Sequence, residues 1–185
     1  MTRSIDIVVN SFSDMWSELA KSGTHPPYML IDCSGLKGGA AKLPRHVCHE
    51  FDCLFAGKLA NELADVGPYL GRLKSFGTDI KTTVEKLLAI QVATLLLTDS
   101  VTNEKPGQGF AQLHRHFRKF NVVQGPNNKQ LFFRYYDPRL IYNVLQALDF
   151  QQVTEFFGPL KALVVAETGG RTITIKAAEL AGQAA

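Results

Sequence analysis

The stretch IQVATLLLT, from Ile90 to Thr98, decides the fold. Its apolar side chains fall on both faces of an extended chain, with no regular alternation against polar ones. A strand of that kind is an inner one, covered on both sides, and helices on both sides are the mark of a largely parallel sheet. The neighbouring segments supply those helices. Upstream, Ile80, Val84, Leu87 and Leu88 recur at helical spacing with Thr78 or Asp79 as the cap. Downstream, Phe110, Leu113, Phe117 and Phe120 make a second apolar stripe. The expected fold is α/β: a single mixed, mostly parallel sheet flanked by helices on both faces, with β-hairpins late in the chain.

Toward the N-terminus, Tyr69 to Leu73 and Phe51 to Phe55 read as strands. Between them Leu59, Leu63 and Val66 line a helical face that stops at Gly67-Pro68. Ser34 to Arg45 holds Gly35, Gly38, Gly39 and Pro44 and is expected to be a surface loop or a short irregular helix. Tyr28 to Cys33 is a buried run, read as the first strand. Before it, Phe12, Met15, Trp16 and Leu19 form an amphipathic helix capped by Ser11 or Ser13.

Toward the C-terminus, Val122 to Gln124 and Leu131 to Tyr136 flank Gly125-Pro126-Asn127-Asn128 as a hairpin. Asp137 caps a helix with Pro138 at its first position and Leu140, Ile141, Val144 and Leu145 as its buried stripe. Asp149 and Gln152 have the spacing of a capping box, on a helix that ends at Gly158-Pro159. Leu160 to Glu167 and Thr172 to Lys176 form a second hairpin around Gly169-Gly170, and the tail after Ala177 is a short helix or a frayed end. The expected organisation is one domain over 1–185, with an N-terminal helix in 1–22, a core over 28–160 and a C-terminal hairpin and tail over 160–185.

A chain of 185 residues hides about 70% of its unfolded surface, enough for one real core. Its 20 basic and 17 acidic residues give a charge of +3, spread without a block of one sign. Nucleic-acid binding gains no support from that distribution. No apolar run approaches the roughly 20 residues that span a bilayer. The first residues, with Asp6, Asp14 and Glu18, do not read as a secretory signal, so the protein is expected in the cytoplasm. The three cysteines then stay reduced and serve packing.

Among candidate chemistries, His46, Cys48, His49 and Cys53 are four possible zinc ligands, but structural sites pair ligands from two segments and Cys53 sits in a strand pattern. His114 and His116 lie about 200° apart on a helix and do not share an ion. His114 and Arg118 share a face with Arg115 and Lys119 nearby, a surface that suits an anionic partner or simply solvent. In Phe132 to Arg139, alternation sets Leu131, Phe133 and Tyr135 on one face and Phe132, Arg134 and Tyr136 on the other. Arg134 among aromatic rings needs a carboxylate, Asp32 or Asp137. No GxSxG, Walker, GxGxxG or HExxH pattern occurs, and neither cofactor nor metal is expected.

The series Tyr28 to Asp32, Phe55, ADVGPYLGRL at Ala64 to Leu73, LHRHFRKF at Leu113 to Phe120, LFFRYYDPR at Leu131 to Arg139 and FFGP at Phe156 to Pro159 resembles the type VI secretion adaptor family. These are the Tap or TEC adaptors, first catalogued as a domain of unknown function. The resemblance spans about 28–160 and departs at Val92-Ala93, where members often carry Trp-Gly, and in the Gly- and Pro-rich stretch after Asp32. It implies a non-catalytic, cytoplasmic, bacterial chaperone that binds a toxic effector and loads it onto the VgrG spike protein. Partner-contacting positions would be Tyr69, Arg72, His114, Arg115, Arg118, Arg134, Tyr136 and Arg139. Two rival readings stand beside it. One is a small hydrolase or nuclease-like enzyme in which Asp32, His114, Arg134 and Asp137 meet in a cleft, and the other is an immunity protein that blocks a toxin.

Overall fold

The computed structural model describes residues 5–22, 25–98, 108–124 and 129–178. Nine strands follow in chain order: β1 Ile5–Ser11, β2 Tyr28–Asp32, β3 Cys48–Cys53, β4 Pro68–Leu73, β5 Ala93–Thr98, β6 Val122–Gln124, β7 Gln130–Phe132, β8 Leu160–Ala166 and β9 Arg171–Ala177. Among the described residues six helices accompany them: α1 Phe12–Lys21, α2 Gly57–Leu63, α3 Thr78–Ala89, α4 Gln108–Arg118, α5 Pro138–Ala147 and α6 Phe150–Phe157. Seven strands form one sheet in the order β1-β9-β8-β5-β2-β4-β3, and β6 with β7 makes a separate two-stranded ribbon.

Every neighbouring pair in the large sheet is antiparallel, which corrects the mostly parallel sheet expected from Ile90 to Thr98. The central strand is β5, as expected, and its first four residues are buried. Burial on both faces follows from helices on both faces and carries no information about strand direction. Parallel strands do occur in the sheet, but only as non-neighbours joined by crossovers, and in one of these, β4–α3–β5, the two strands run parallel to each other. The slot between them is filled by β2, which pairs antiparallel with both.

Two apolar clusters sit on opposite faces, and period-two alternation assigns each strand residue to one of them. Met29, Ile31, Ala93 and Leu95 join Phe12, Met15 and Trp16 of α1 and Ile80, Val84, Leu87 and Leu88 of α3. Leu30, Leu70, Leu96 and Leu163 join Leu113 and Phe117 of α4, Ile141 and Leu145 of α5, and Val153, Phe156 and Phe157 of α6. The result is a three-layer α/β/α arrangement around an antiparallel sheet.

The first strand is β1, ahead of the run at Tyr28 that sequence pattern singled out. β1 lies at an edge with most of its residues exposed, so it has no buried stripe to betray it. It pairs with β9, joining the two ends of the described chain from Ile5 opposite Ala177 to Ser11 opposite Arg171. α1 follows at once, capped by Ser11, whose Oγ accepts from Asp14 N at 3.1 Å. Trp16 is 3% exposed, and its Nε1 donates to Phe76 O at 3.3 Å.

Several local expectations are revised. Of the two readings of the Gly-rich stretch after β2, short irregular helix is the one found, as 3₁₀ turns at Cys33–Gly35, Gly39–Lys42 and Arg45–Val47, but the stretch is not purely surface, since Ala40, Leu43 and Val47 are buried in the core. Leu63 and Val66 are exposed, so α2 buries only its Leu59 and Ala60 side. α3 is preceded by Gly77 and has no side-chain cap from Thr78 or Asp79. Leu140 is exposed while Pro138, Ile141 and Leu145 face inward. The turn at 125–128 and the tail from 179 lie outside the described residues. No helix among the described residues is long and apolar enough to cross a membrane.

Candidate functional site

β2 ends in the core at Asp32, which is 2% exposed. Its carboxylate accepts from Ser34 N at 3.0 Å and from Ser34 Oγ at 2.6 Å, so it caps the first 3₁₀ turn. Asp137 is equally buried and opens α5 by accepting from Arg139 N at 3.1 Å. Two buried carboxylates of this kind require cations. Arg134 Nη2 lies 2.9 Å from Asp32 Oδ2 and 3.5 Å from Asp137 Oδ2, and donates to Ser34 Oγ at 3.0 Å. Arg139 completes the group with a fork on Asp137, Nε to Oδ1 at 2.8 Å and Nη2 to Oδ2 at 2.7 Å. The Arg139 hydrogen bonds hold the Asp137 carboxyl below its ordinary range.

The need for a carboxylate at Arg134 is therefore met by both residues that the sequence offered. Arg134 also stands 5.9 Å from the Tyr136 ring centroid. The expected strand alternation fails here because β7 stops at Phe132. The next residues turn, and Tyr135 and Tyr136 both enter the core. Tyr135 stacks on Phe117 and donates to Phe117 O at 2.9 Å.

His114 does not join this group. Its Nε2 lies 2.9 Å from Cys53 O and 3.2 Å from Asp52 Oδ2, and its ring stacks on Phe110. His116 points the other way, with Nε2 2.8 Å from Phe156 O, as their separation on a helix requires. The rest of the α4 face is cationic. Arg115 and Arg118, exposed, border a shallow cavity with Asp52, Phe110, Ala111 and His114.

Of the remaining positions implied by the family resemblance, Tyr69 is buried against Phe51, Arg72 pairs with Glu50 at 2.9 Å, and Tyr136 is buried. Arg134 and Arg139 keep 44% and 55% of their side chains exposed. His46 and His49 are exposed while Cys48 is in the core, and among the described residues no three His, Cys, Asp or Glu side chains converge as metal ligands. Cys48 instead packs beside Gly71, where a β-carbon would fall 2.9 Å from its Sγ and 2.7 Å from the Phe51 ring.

Sequence pattern missed one surface. The ribbon leaves Phe132 65%, Leu131 46% and Val122 39% exposed, with Phe132 directly opposite Val122. α4 leads straight into it through the exposed Arg118 and Lys119. The signal was present in Leu131 and Phe132, two adjacent apolar residues on a strand too short to bury both faces.

The profile of the family described as Domain of unknown function (DUF4123) matches residues 27–155. The chain belongs to this family. No curated protein and no solved structure matches it. The DUF4123 region runs from the residue before β2 into α6 and contains the Asp32–Arg134–Asp137–Arg139 group, the cationic face of α4 and the exposed ribbon. Strands β1, β8 and β9 lie outside it yet complete the sheet.

Proposed function

We propose that this DUF4123 protein is a non-catalytic cytoplasmic adaptor of bacterial type VI secretion, binding a toxic effector and delivering it to the VgrG spike. The observation that carries this reading is the contrast between a saturated junction and an open surface. At the junction Asp32 is taken up by a turn and Arg134, and Asp137 by a helix start and two arginines. An enzyme built on Asp32, His114, Arg134 and Asp137 requires them in one open cleft, whereas His114 is committed to Cys53 and Asp52.

The surface has the character that a chaperone of apolar segments needs, an apolar patch rimmed by charge. Val122 and Phe132 form the patch on one face of the ribbon, Leu131 is exposed on the other, and Arg115, Arg118 and Lys119 stand next to the ribbon in the chain. The effector segment that fits is amphipathic, with acidic residues flanking apolar ones. The test is copurification of the tagged protein with the products of its neighbouring genes, together with effector export from a strain lacking it. Retained effector and spike, with export lost and other secretion intact, is the expected result. The double substitution F132D/R118E should weaken effector capture at least tenfold while the protein stays folded. Toxin binding without an export defect overturns the adaptor reading in favour of an immunity role, and absence of binding to either product overturns both.

A further inference from the structure

The sheet has two edges, and they are built differently. At one edge β3 is interrupted by a bulge between Cys48 and Glu50 and carries His49, Glu50 and Asp52. Bulges and charges are the usual devices that stop a sheet edge from recruiting another strand. β1, at the other edge, has neither a bulge nor a proline, and pairs with β9 in unbroken register through all seven of its residues. Its centre is Ile7, Val8 and Val9, which are 39%, 44% and 45% exposed. Among the described residues no strand pairs with its outer side.

We propose that β1 is a self-pairing edge through which two copies of the chain join their sheets, antiparallel, across a two-fold axis at Val8. The reason is that the five residues Asp6 to Asn10, DIVVN, are their own complement about that residue, with Ile5 and Ser11 opposed only at the ends. Antiparallel pairing there sets Val8 against its copy, Ile7 against Val9, and Asp6 against Asn10. Apolar residues meet apolar ones on both faces, a carboxylate meets an amide donor, and no like charges are opposed. Shifting the register by one residue sets Ile7 against Asn10 and Val8 against Val9. Shifting it further removes either Asp6 or Asn10 from the ladder. One register is therefore specified, as an isologous interface requires. A strand from another protein would satisfy the same backbone groups, but that alone does not call for a palindromic side-chain order.

Sedimentation across a concentration series tests the idea, with the wild-type chain expected to dimerise in the micromolar range. Val8→Lys places two ammonium groups face to face at the axis, and its side chain is exposed enough to leave the fold intact. The variant should be monomeric, with an unchanged circular dichroism spectrum and melting temperature. Val8→Cys tests the register without disruption. Oxidation should give a disulfide dimer at least tenfold faster than in Val66→Cys, an equally exposed site away from β1. A wild-type chain that stays monomeric into the millimolar range, a dimer indifferent to Val8→Lys, or a Val8→Cys protein that cross-links no faster than the control overturns the proposal. Capture of an extended peptide on β1 by a monomer overturns it as well.

Discussion

Arg134 is nearly half exposed on its side chain, yet the two carboxylates that it serves are almost fully buried. Removing it leaves Asp32, among the described residues, with only the Ser34 hydrogen bonds. Arg134→Met should cost about 2–3 kcal/mol in urea unfolding, below the upper range for a fully buried pair because Arg134 is partly hydrated. Arg139→Met should cost less, since Asp137 keeps both its bond from Arg139 N and its contact with Arg134. A loss at Arg134 no larger than that of an exposed pair would mean that Asp32 finds its stabilisation elsewhere. The thiols carry a second residue-scale expectation. Burial pushes Cys33 and Cys48 up to about 12, so both are protonated at neutral pH. Thiol reagents should modify them only on unfolding, and stoichiometric labelling of the native chain at either position would contradict their placement in the core. The requirement of Arg134 for an acid was legible from its aromatic neighbours. The burial of Tyr136 was not, because it depends on where β7 ends.

At the scale of elements, the helix starts that sequence named with a side-chain oxygen at the right offset are present at α1, α5 and α6, the last with a complete capping box. α3 begins without one, because Gly77 takes the position where Thr78 or Asp79 had been expected to act. The α4–α6 contact yields a pH-dependent term. His116 Nε2 meets Phe156 O at 2.8 Å, and burial lowers the pKa of the ring from its ordinary 6.5. Below that value the unfolded chain takes a proton that the folded chain still refuses. The stabilisation is thus complete above 6.5 and falls as the pH drops toward the folded value. Urea midpoints should decline between about pH 7 and pH 5 by an amount that His116→Gln reduces. Equal slopes in both proteins would remove His116 from the account. Asp137 acts in a separate, more acidic window, being lost only as the pH falls through its depressed value. Gly158 closes α6 at φ +46°, and a β-carbon there would sit 2.4 Å from His116 Cε1. Gly158→Ala should therefore cost about 2 kcal/mol from backbone strain and displacement of His116. An unchanged melting temperature would show that this turn has room to adjust.

For the whole molecule, the informative contact joins the ends of the described chain. β1 and α1 bury Ile5, Phe12, Met15 and Trp16, and β1 covers the β9 edge. Deleting 1–22 should abolish cooperative unfolding followed by circular dichroism and promote aggregation through the uncovered strand. A soluble truncated chain with a sharp transition would make the N-terminal segment an appendage to the fold. Sequence alone determined the helices and the caps of α1, α5 and α6, most of the strands, the central place of β5, the coverage of both sheet faces and the need of Arg134 for a carboxylate. These are all written in periodicity, in a capping offset or in the cost of an unpaired charge, which act over a few residues. Only the tertiary structure decided that the sheet is antiparallel, that β2 fills the slot between β4 and β5, that β1 closes on β9, and that Asp32 and Asp137 share Arg134. Those outcomes depend on which distant segments bury each other's surface, and a strand covered on both faces has the same composition whichever way its neighbours run.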